Sequence, residues 1–462
     1  MSMKRKKIVL FFLVLFGLKN LFALTYDELL QNYCTNDIQF EELVIAYKQA
    51  ELSYKETEIN NGNSVTVSTG SVKLEFAENQ VNTSFSPSVT FAIPSLSNTE
   101  AKISVPISFE NESFSMQNAG ISFSTEIISS GKDNRVLTLE KALRSVEEAE
   151  RKLQTRIIAL EKAFLNDLKN LYTLGLSLYE AEENLLSKQI SFESIKIQGY
   201  SESSPKYRSS LLSVKSAEYD LESAKRKYAS SLEKFILACG AEDLDIYSLE
   251  IPETTLINIK DFEKERFSAI ESVNWSNYLK SKSRNNQKEF TLSANTSANF
   301  SFVKEKFSST LGAGLSAGYK GLSGNININF PTDDKNNPSL TFSVSWNPNQ
   351  TKIENLEKIS SNLEEQTEFL SLKKANQEYL EKVSEYETEK ENLLWQYEKN
   401  LEEASMYKEL AEDAAYWYKE GIVSEAEYRQ ANTNYAKAVL SVTSSKIQQL
   451  IYNLDVKSLF VE

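Results

Sequence analysis

DNRVLTLEKALRSVEEAERKLQTRIIALEKAFLNDLKNLYTLGLSLYEAEENLLSKQISFESIKIQG, residues 133–199, contains no proline and one internal glycine, Gly175. As a single helix it would be roughly 100 Å long at ~1.5 Å per residue. Its apolar residues recur at alternating spacings of three and four: Leu139, Ala142, Val146, Ala149 and Leu153, then Leu171, Leu174, Leu178, Ala181 and Leu185. That stripe is a coiled-coil seam and requires another helix to cover it. A second stretch of the same character occupies 351–420. Each long helix follows alternating, strand-like sequence and precedes a shorter helix, so the sequence predicts one plan used twice.

The first repeat is read over 24–250. A leading helix starts near Leu24, and a stripe of Phe40, Leu43, Tyr47, Ala50 and Tyr54 marks the next, which Asn60-Asn61-Gly62 ends. Strands fill 63–130, where apolar residues take alternate positions in four segments: Val65 to Phe76 with an interruption at Gly70, 81–93, 101–109 and 119–127. The long helix covers 133–198, a break carries Gly199 and Pro205, and a helix over 206–239 returns with its own seam of Ala217, Leu221, Ala224 and Tyr228. Helices joined through so short a break fold back antiparallel. Residues 243–257 lose periodicity and form a linker. The second repeat, 251–462, then gives a short helix over 261–286, four alternating segments over 289–347, the long helix over 351–420 and a returning helix over 424–455. Matched positions keep their order: Val65 with Phe290, Leu139-Glu140-Lys141 with Leu356-Glu357-Lys358, and Tyr207-Arg208 with Tyr428-Arg429.

Composition narrows the function. The chain contains no histidine, which removes Ser-His-Asp triads, Cys-His pairs and imidazole metal sites. Residues 1–23 hold Lys4, Arg5, Lys6, Lys7 and Lys19, an apolar run and a small residue at Ala23, the layout of a secretory signal peptide. Without those five bases, 46 Lys and Arg face 65 Asp and Glu, a net of -19. So acidic a chain does not suit nucleic acid, whose phosphates need clustered bases. Cys34 and Cys239 are the only cysteines; in an exported protein they form either a disulfide or two buried thiols.

Beyond the leader no apolar run approaches the ~20 residues of a membrane helix. Alternating segments of about ten residues, apolar on one face and rich in Ser, Thr and Asn on the other, fit either a transmembrane barrel or a sandwich that buries the same face. Tyr319 and Trp346 suit an aromatic girdle at a membrane interface or, equally, a packed core. The run Gly312-Ala313-Gly314 lies within strand alternation, so it is not a phosphate loop. Acid pairs such as Glu182-Glu183 read as solvated helix surface.

The plan of short helix, strands, long helix, returning helix, linker and the same again resembles the TolC-like outer-membrane efflux proteins, the outer membrane factors. The resemblance extends over nearly the whole chain after residue 23. Its most specific stretch is YKEGIVSEAEYRQA, 418–431, which is similar to that family's helix turn at the periplasmic tip. The resemblance implies an α+β membrane protein with two-fold internal repeat: long antiparallel coiled-coil hairpins forming a helical barrel, plus a transmembrane β-barrel shared in a homotrimer. It implies a passive exit duct from the periplasm through the outer membrane, for efflux or type I secretion, with outer-membrane lipid around the barrel. A periplasmic adaptor and an inner-membrane pump would supply coupling and energy, and no cofactor or covalent chemistry is implied. The family narrows its entrance with acidic side chains one turn apart; the matching positions are Glu427 and Gln430, one acid and one amide. Gly421, Ile422, Val423 and Ser424, with Gly199, would meet the adaptor. That family has two strands per repeat where this sequence shows four segments. The reading of another class is a non-channel surface or adhesive protein with a helical stalk and a β head.

Overall fold

The computed structural model describes residues 25–461 except 78–79, 111–112, 130, 243, 287–288, 304–305 and 333–336; the expected signal peptide, residues 1–23, lies outside the described residues. Helices are α1 (Tyr26–Thr35), α2 (Ile38–Asn60), α3 (Gly131–Ile197), α4 (Pro205–Ala238), α5 (Ser268–Asn286), α6 (Pro348–Lys419) and α7 (Glu425–Ser458). Strands are β1 (Ser64–Ser68), β2 (Val72–Ala77), β3 (Gln80–Phe85), β4 (Ser88–Ile93), β5 (Thr99–Ser104), β6 (Ile107–Glu110), β7 (Ser113–Ile128), β8 (Phe290–Val303), β9 (Lys306–Tyr319), β10 (Leu322–Pro331) and β11 (Ser339–Trp346). No helix among the described residues is long and apolar enough to cross a membrane. The chain forms two compact units, each drawn from three separate stretches.

The helical unit takes residues up to Glu41, Gln154–Phe262 and Val383–Leu459. Its core gathers Leu29 of α1, Phe164, Leu165, Leu168 and Leu171 of α3, Phe235 at the end of α4, and Leu440, Ile447, Ile451 and Leu454 of α7. Phe164 is wholly buried, with the rings of Tyr26, Tyr33 and Phe235 at 5.5, 5.6 and 5.4 Å. The stretch between Leu153 and Leu171, which the seam skipped, is the most buried part of α3 because helices cover it from several sides. The linker is held onto this core. Tyr172 Oη donates to Ile246 O at 2.6 Å, and Asn453 accepts from Ile257 N–H while donating to Thr255 O, both at 2.9 Å.

The candidate disulfide is absent. Cys34 and Cys239 are free thiols, although Asn36 Nδ2 reaches Ala238 O at 3.3 Å. Cys239 sits within the apolar cluster, and burial pushes its thiol up to about 12 and that of Cys34 to about 11. Both are thus held in the unreactive protonated form.

The sheet unit takes Glu42–Leu153, Glu263–Lys382 and Phe460–Glu462. All its strands pair antiparallel in one sheet, along the path β1-β4-β5-β7-β8-β9-β10-β11, with β2, β3 and β6 branching from β7. The four alternating segments of the first half are seven strands here. β1 with β2, β3 with β4, and β5 with β6 are continuous paths interrupted at one level, by Gly70, Pro87 and Pro106, and the β7–β8 register shifts between Met116 and Ala119. Proline lacks the N–H that a ladder needs, so alternation in the sequence continued where pairing did not. In the second half the four segments are four uninterrupted strands.

Guanidinium–carboxylate pairs fix the helices of this unit. Glu271 of α5 accepts two bonds each from Arg144 (2.5 and 2.8 Å) and Arg151 (both 2.9 Å) of α3. Arg284 at the other end of α5 makes a fork to Glu368 of α6 at 2.8 and 3.1 Å.

Candidate functional site

The two faces of the sheet differ in chemistry along most of its rows. Across the register, one face carries rows such as Ile121, Ala298, Leu311 and Phe330, or Phe123, Thr296, Ala313, Ile328 and Leu340, in which Thr296 is the one polar member. These side chains are largely exposed, up to 69% at Leu340. The opposite face carries Ser124, Asn295, Gly314 and Asn327 in one row, and Glu126, Ser293, Ser316, Asn325 and Ser343 in the next. A cavity of about 620 Å³ opens there. A Cβ at Gly314 would overlap the side-chain oxygens of Asn295 and Asn327, so the glycine makes room for amides from both neighbouring strands.

Aromatic rings bound the apolar face at its two ends. Phe290, Tyr319, Leu322 and Trp346 are successive cross-strand neighbours at the end where strands meet helices. At the far end Phe302 pairs with Phe307, Phe114 stands 6.5 Å from Phe302, and Phe109 stands 5.6 Å from Phe114.

In the helical unit both hairpins turn through glycines in the left-handed region, Gly199 at φ +73° and Gly421 at φ +72°. A Cβ at either would meet nothing, so backbone conformation and not space requires glycine. The second turn is a Schellman closure: Ile422 N–H reaches Trp417 O at 2.9 Å and Gly421 N–H reaches Tyr418 O at 3.0 Å. Ser424 then starts α7, accepting from Glu427 N–H at 3.3 Å, while the Glu427 carboxylate accepts from Ser424 N–H at 2.7 Å and from its hydroxyl at 2.8 Å. This capping box turns the Glu427 side chain back on its own helix end. The bonds from Ser424 hold its carboxyl below the usual range. Tyr418 and Tyr428 stack across the turn, 5.0 Å apart and nearly parallel.

Gln430 faces its own chain: its Nε2 donates to Glu183 of α3 at 3.3 Å, and Lys437 holds the other oxygen of Glu183 at 2.7 Å. Glu183 is therefore half-buried and paired, not the solvated acid read from the sequence; the lysine seven residues beyond Gln430 was the available signal. At the tips Ile422 is 64% exposed and Ile197, two residues before Gly199, 86%. The sequence reading passed over Ile197, yet an apolar last helical residue two positions before a helix-ending glycine marks it. Among the described residues no group of acids and cysteines is placed to hold a metal ion.

No curated protein matches the chain in sequence. Among solved structures, the outer-membrane channel OprN is similar at TM-score 0.51 and 12% identity, over 94% of this chain and 90% of that one. The outer membrane protein VceC from Vibrio cholerae is similar at TM-score 0.50 and 10% identity, over 94% of this chain and 96% of that one. The TolC-like resemblance read from the sequence thus holds for the fold. The TP096X N-terminal domain matches residues 29–259, half of the chain, and the TP096X C-terminal domain matches 252–462. With both domains in order along its length, the chain belongs to the TP096X family.

Proposed function

We propose that the chain is an outer-membrane channel, a passive exit duct for efflux or type I secretion that works as a homotrimer with its helices in the periplasm. The observation that carries this reading is the pair of aromatic rows. Phe290 and Phe302 are twelve residues apart on β8, roughly 40 Å along a strand, which the tilt of barrel strands reduces to a height of about 30 Å. That height matches the hydrocarbon core of a bilayer. The exposed apolar face would meet lipid, and the Ser, Asn and Thr face would line the water-filled lumen. Residues 1–23 would direct export, and 24–250 and 251–462 would be two repeats of one plan. A periplasmic adaptor would dock on the tips at Gly199, Gly421, Ile422, Val423 and Ser424, with Ile197 added from its exposure, and an inner-membrane pump would supply energy.

The mature chain in planar bilayers tests this. Stepwise conductance, with a three-chain protein mass in its detergent belt by light scattering, is the expected result. Protein that stays soluble without detergent and never conducts would point to the stalk and β head.

Three Glu427 carboxylates, one from each copy, would form the entrance ring. Glu427→Gln is expected to reduce cation preference at pH 7, and unchanged reversal potentials would remove it from the ring. Hydrogen bonds from Ser424 favour the ionised form of each Glu427, whereas three like charges in one ring favour protonation. The pH at which wild-type cation preference is lost therefore reads which of the two governs.

A further inference from the structure

The polar face of the second-half strands is uncharged over most of its height. From Thr291 to Ser297 on β8, and at the positions in register with them on β9, β10 and β11, it holds only Ser, Thr, Asn and Gly. The cavity of about 620 Å³ on this face is lined by two charged side chains, Glu100 and Glu126, and both come from the first half. Glu126 is already engaged, since Asn98 Nδ2 and Ser129 Oγ donate to it at 2.5 and 2.6 Å.

The amides are differently placed. Asn295 on β8 and Asn327 on β10 turn their side-chain oxygens in over Gly314, from two strands about 10 Å apart with β9 between them. One row on, Ser297 Oγ and Asn329 Oδ1 do the same over Gly312. β9 is thus the floor of a furrow, and its neighbours supply the walls. Among the described residues no hydrogen bond engages the side chains of Asn295, Asn327 or Asn329. An amide offers two donors and an acceptor oxygen, and a hydroxyl offers one of each kind. A lining of both matches a ligand whose groups donate and accept together and carry no charge. An ion finds no counter-charge on these rows to offset the water it leaves behind. An apolar molecule would strand the amides without partners.

We propose that this furrow binds the hydroxyl groups of a neutral oligosaccharide and that such carbohydrate is a cargo of the duct. This rests on the channel reading, in which the polar face lines the lumen, and it names the class of solute that the lining fits. Asn295 and Asn327 contact one sugar from opposite walls, and Asn329 takes the next along the strand. Glu100, in the same row as Asn295, accepts from neighbouring hydroxyls through its two oxygens. These rows carry no aromatic ring on which a sugar could stack. Each contact is therefore a hydrogen bond exchanged for one to water, worth little net, so the sugar is held at several shallow positions and released.

Maltoheptaose added to the protein in planar bilayers tests the furrow. It should interrupt the wild-type current with a concentration dependence that saturates. Asn295→Leu together with Asn327→Leu keeps side-chain size but removes the hydrogen bonds, and should raise the half-blocking concentration roughly tenfold. Asn327→Ser alone, a milder change on an open face, should raise it less but in the same direction. Equal block by a polyethylene glycol of the same size, or block that neither variant weakens, would overturn the proposal. A protein that conducts and ignores the sugar would overturn the furrow and leave the channel reading standing. Should the chain never conduct, saturation-transfer NMR with maltoheptaose on the protein in detergent separates the two. Transfer that the variants weaken would support the furrow and remove the channel reading, whereas absence of transfer would overturn the furrow as well.

Discussion

Phe164→Ala should destabilise the helical unit by about 3–5 kcal/mol, the range for truncating a buried aromatic ring. The side chain is wholly buried and meets three other rings, Tyr26, Tyr33 and Phe235, each edge-on or tilted. Removing it leaves a cavity walled by parts of three helices that other contacts hold in place. Arg156 of α3 grips Asp37, and Tyr33 Oη donates to Asp167 at 2.9 Å, so the walls have little freedom to close in. Denaturant unfolding followed by circular dichroism would measure the loss. A shift below about 1 kcal/mol would mean that the site collapses, contrary to this packing.

Glu271→Gln is the second large effect, and it depends on pH. Glu271 accepts four bonds from Arg144 and Arg151, and these two guanidiniums lower its carboxyl to about 2. A depressed pKa adds stability that is complete above the unfolded value near 4.5, declines as pH falls below it, and is gone under about 2. The shift corresponds to roughly 3 kcal/mol at neutral pH. Arg144 is almost fully buried and would keep only the more exposed Glu148, at 3.0 Å, as a hydrogen-bonded acid, so the amide adds part of the cost of a broken buried pair. Trp275 reports the site, because the Arg144 guanidinium lies 5.1 Å from its ring. The gap between wild type and variant, read from tryptophan fluorescence during unfolding, should be large at pH 7 and shrink steadily from pH 4 to 2. A gap independent of pH would show that the carboxylate charge is not what holds α5 to α3.

Helix identity was legible because period and punctuation agree. The stripe through Leu139 and Leu153 continues without proline until Gly199, and α3 ends at Ile197. Alternation gave the strands, but it reports which way side chains point and not whether backbone pairs. Pro87 and Pro106 sit within unbroken alternation, and the ladder stops at both. On α2 the exposed line of Ile45, Leu52 and Ile59 was hidden by the inner stripe of Leu43, Tyr47, Ala50 and Tyr54, since two stripes on one helix blur into general hydrophobicity. At the candidate entrance, Glu427 and Gln430 were chosen through resemblance alone. Their geometry depends on partners the pattern does not name: Ser424 three residues before one, and Glu183 on another helix for the other.

The breaks in the first-half strands have a mechanical consequence. Three paths there are jointed at one height, by Gly70, Pro87 and Pro106, whereas β8 and β9 run as unbroken fourteen-residue staves up to that height, where they end. Each missing ladder bond removes resistance to bending at the joint, so the sheet is hinged on one flank and stiff on the other. A load at the tips of the far turns would fold the jointed flank while the staves carried it to their base. The rim is thus the compliant end of the sheet, and its movement need not reach the rows beside the helices.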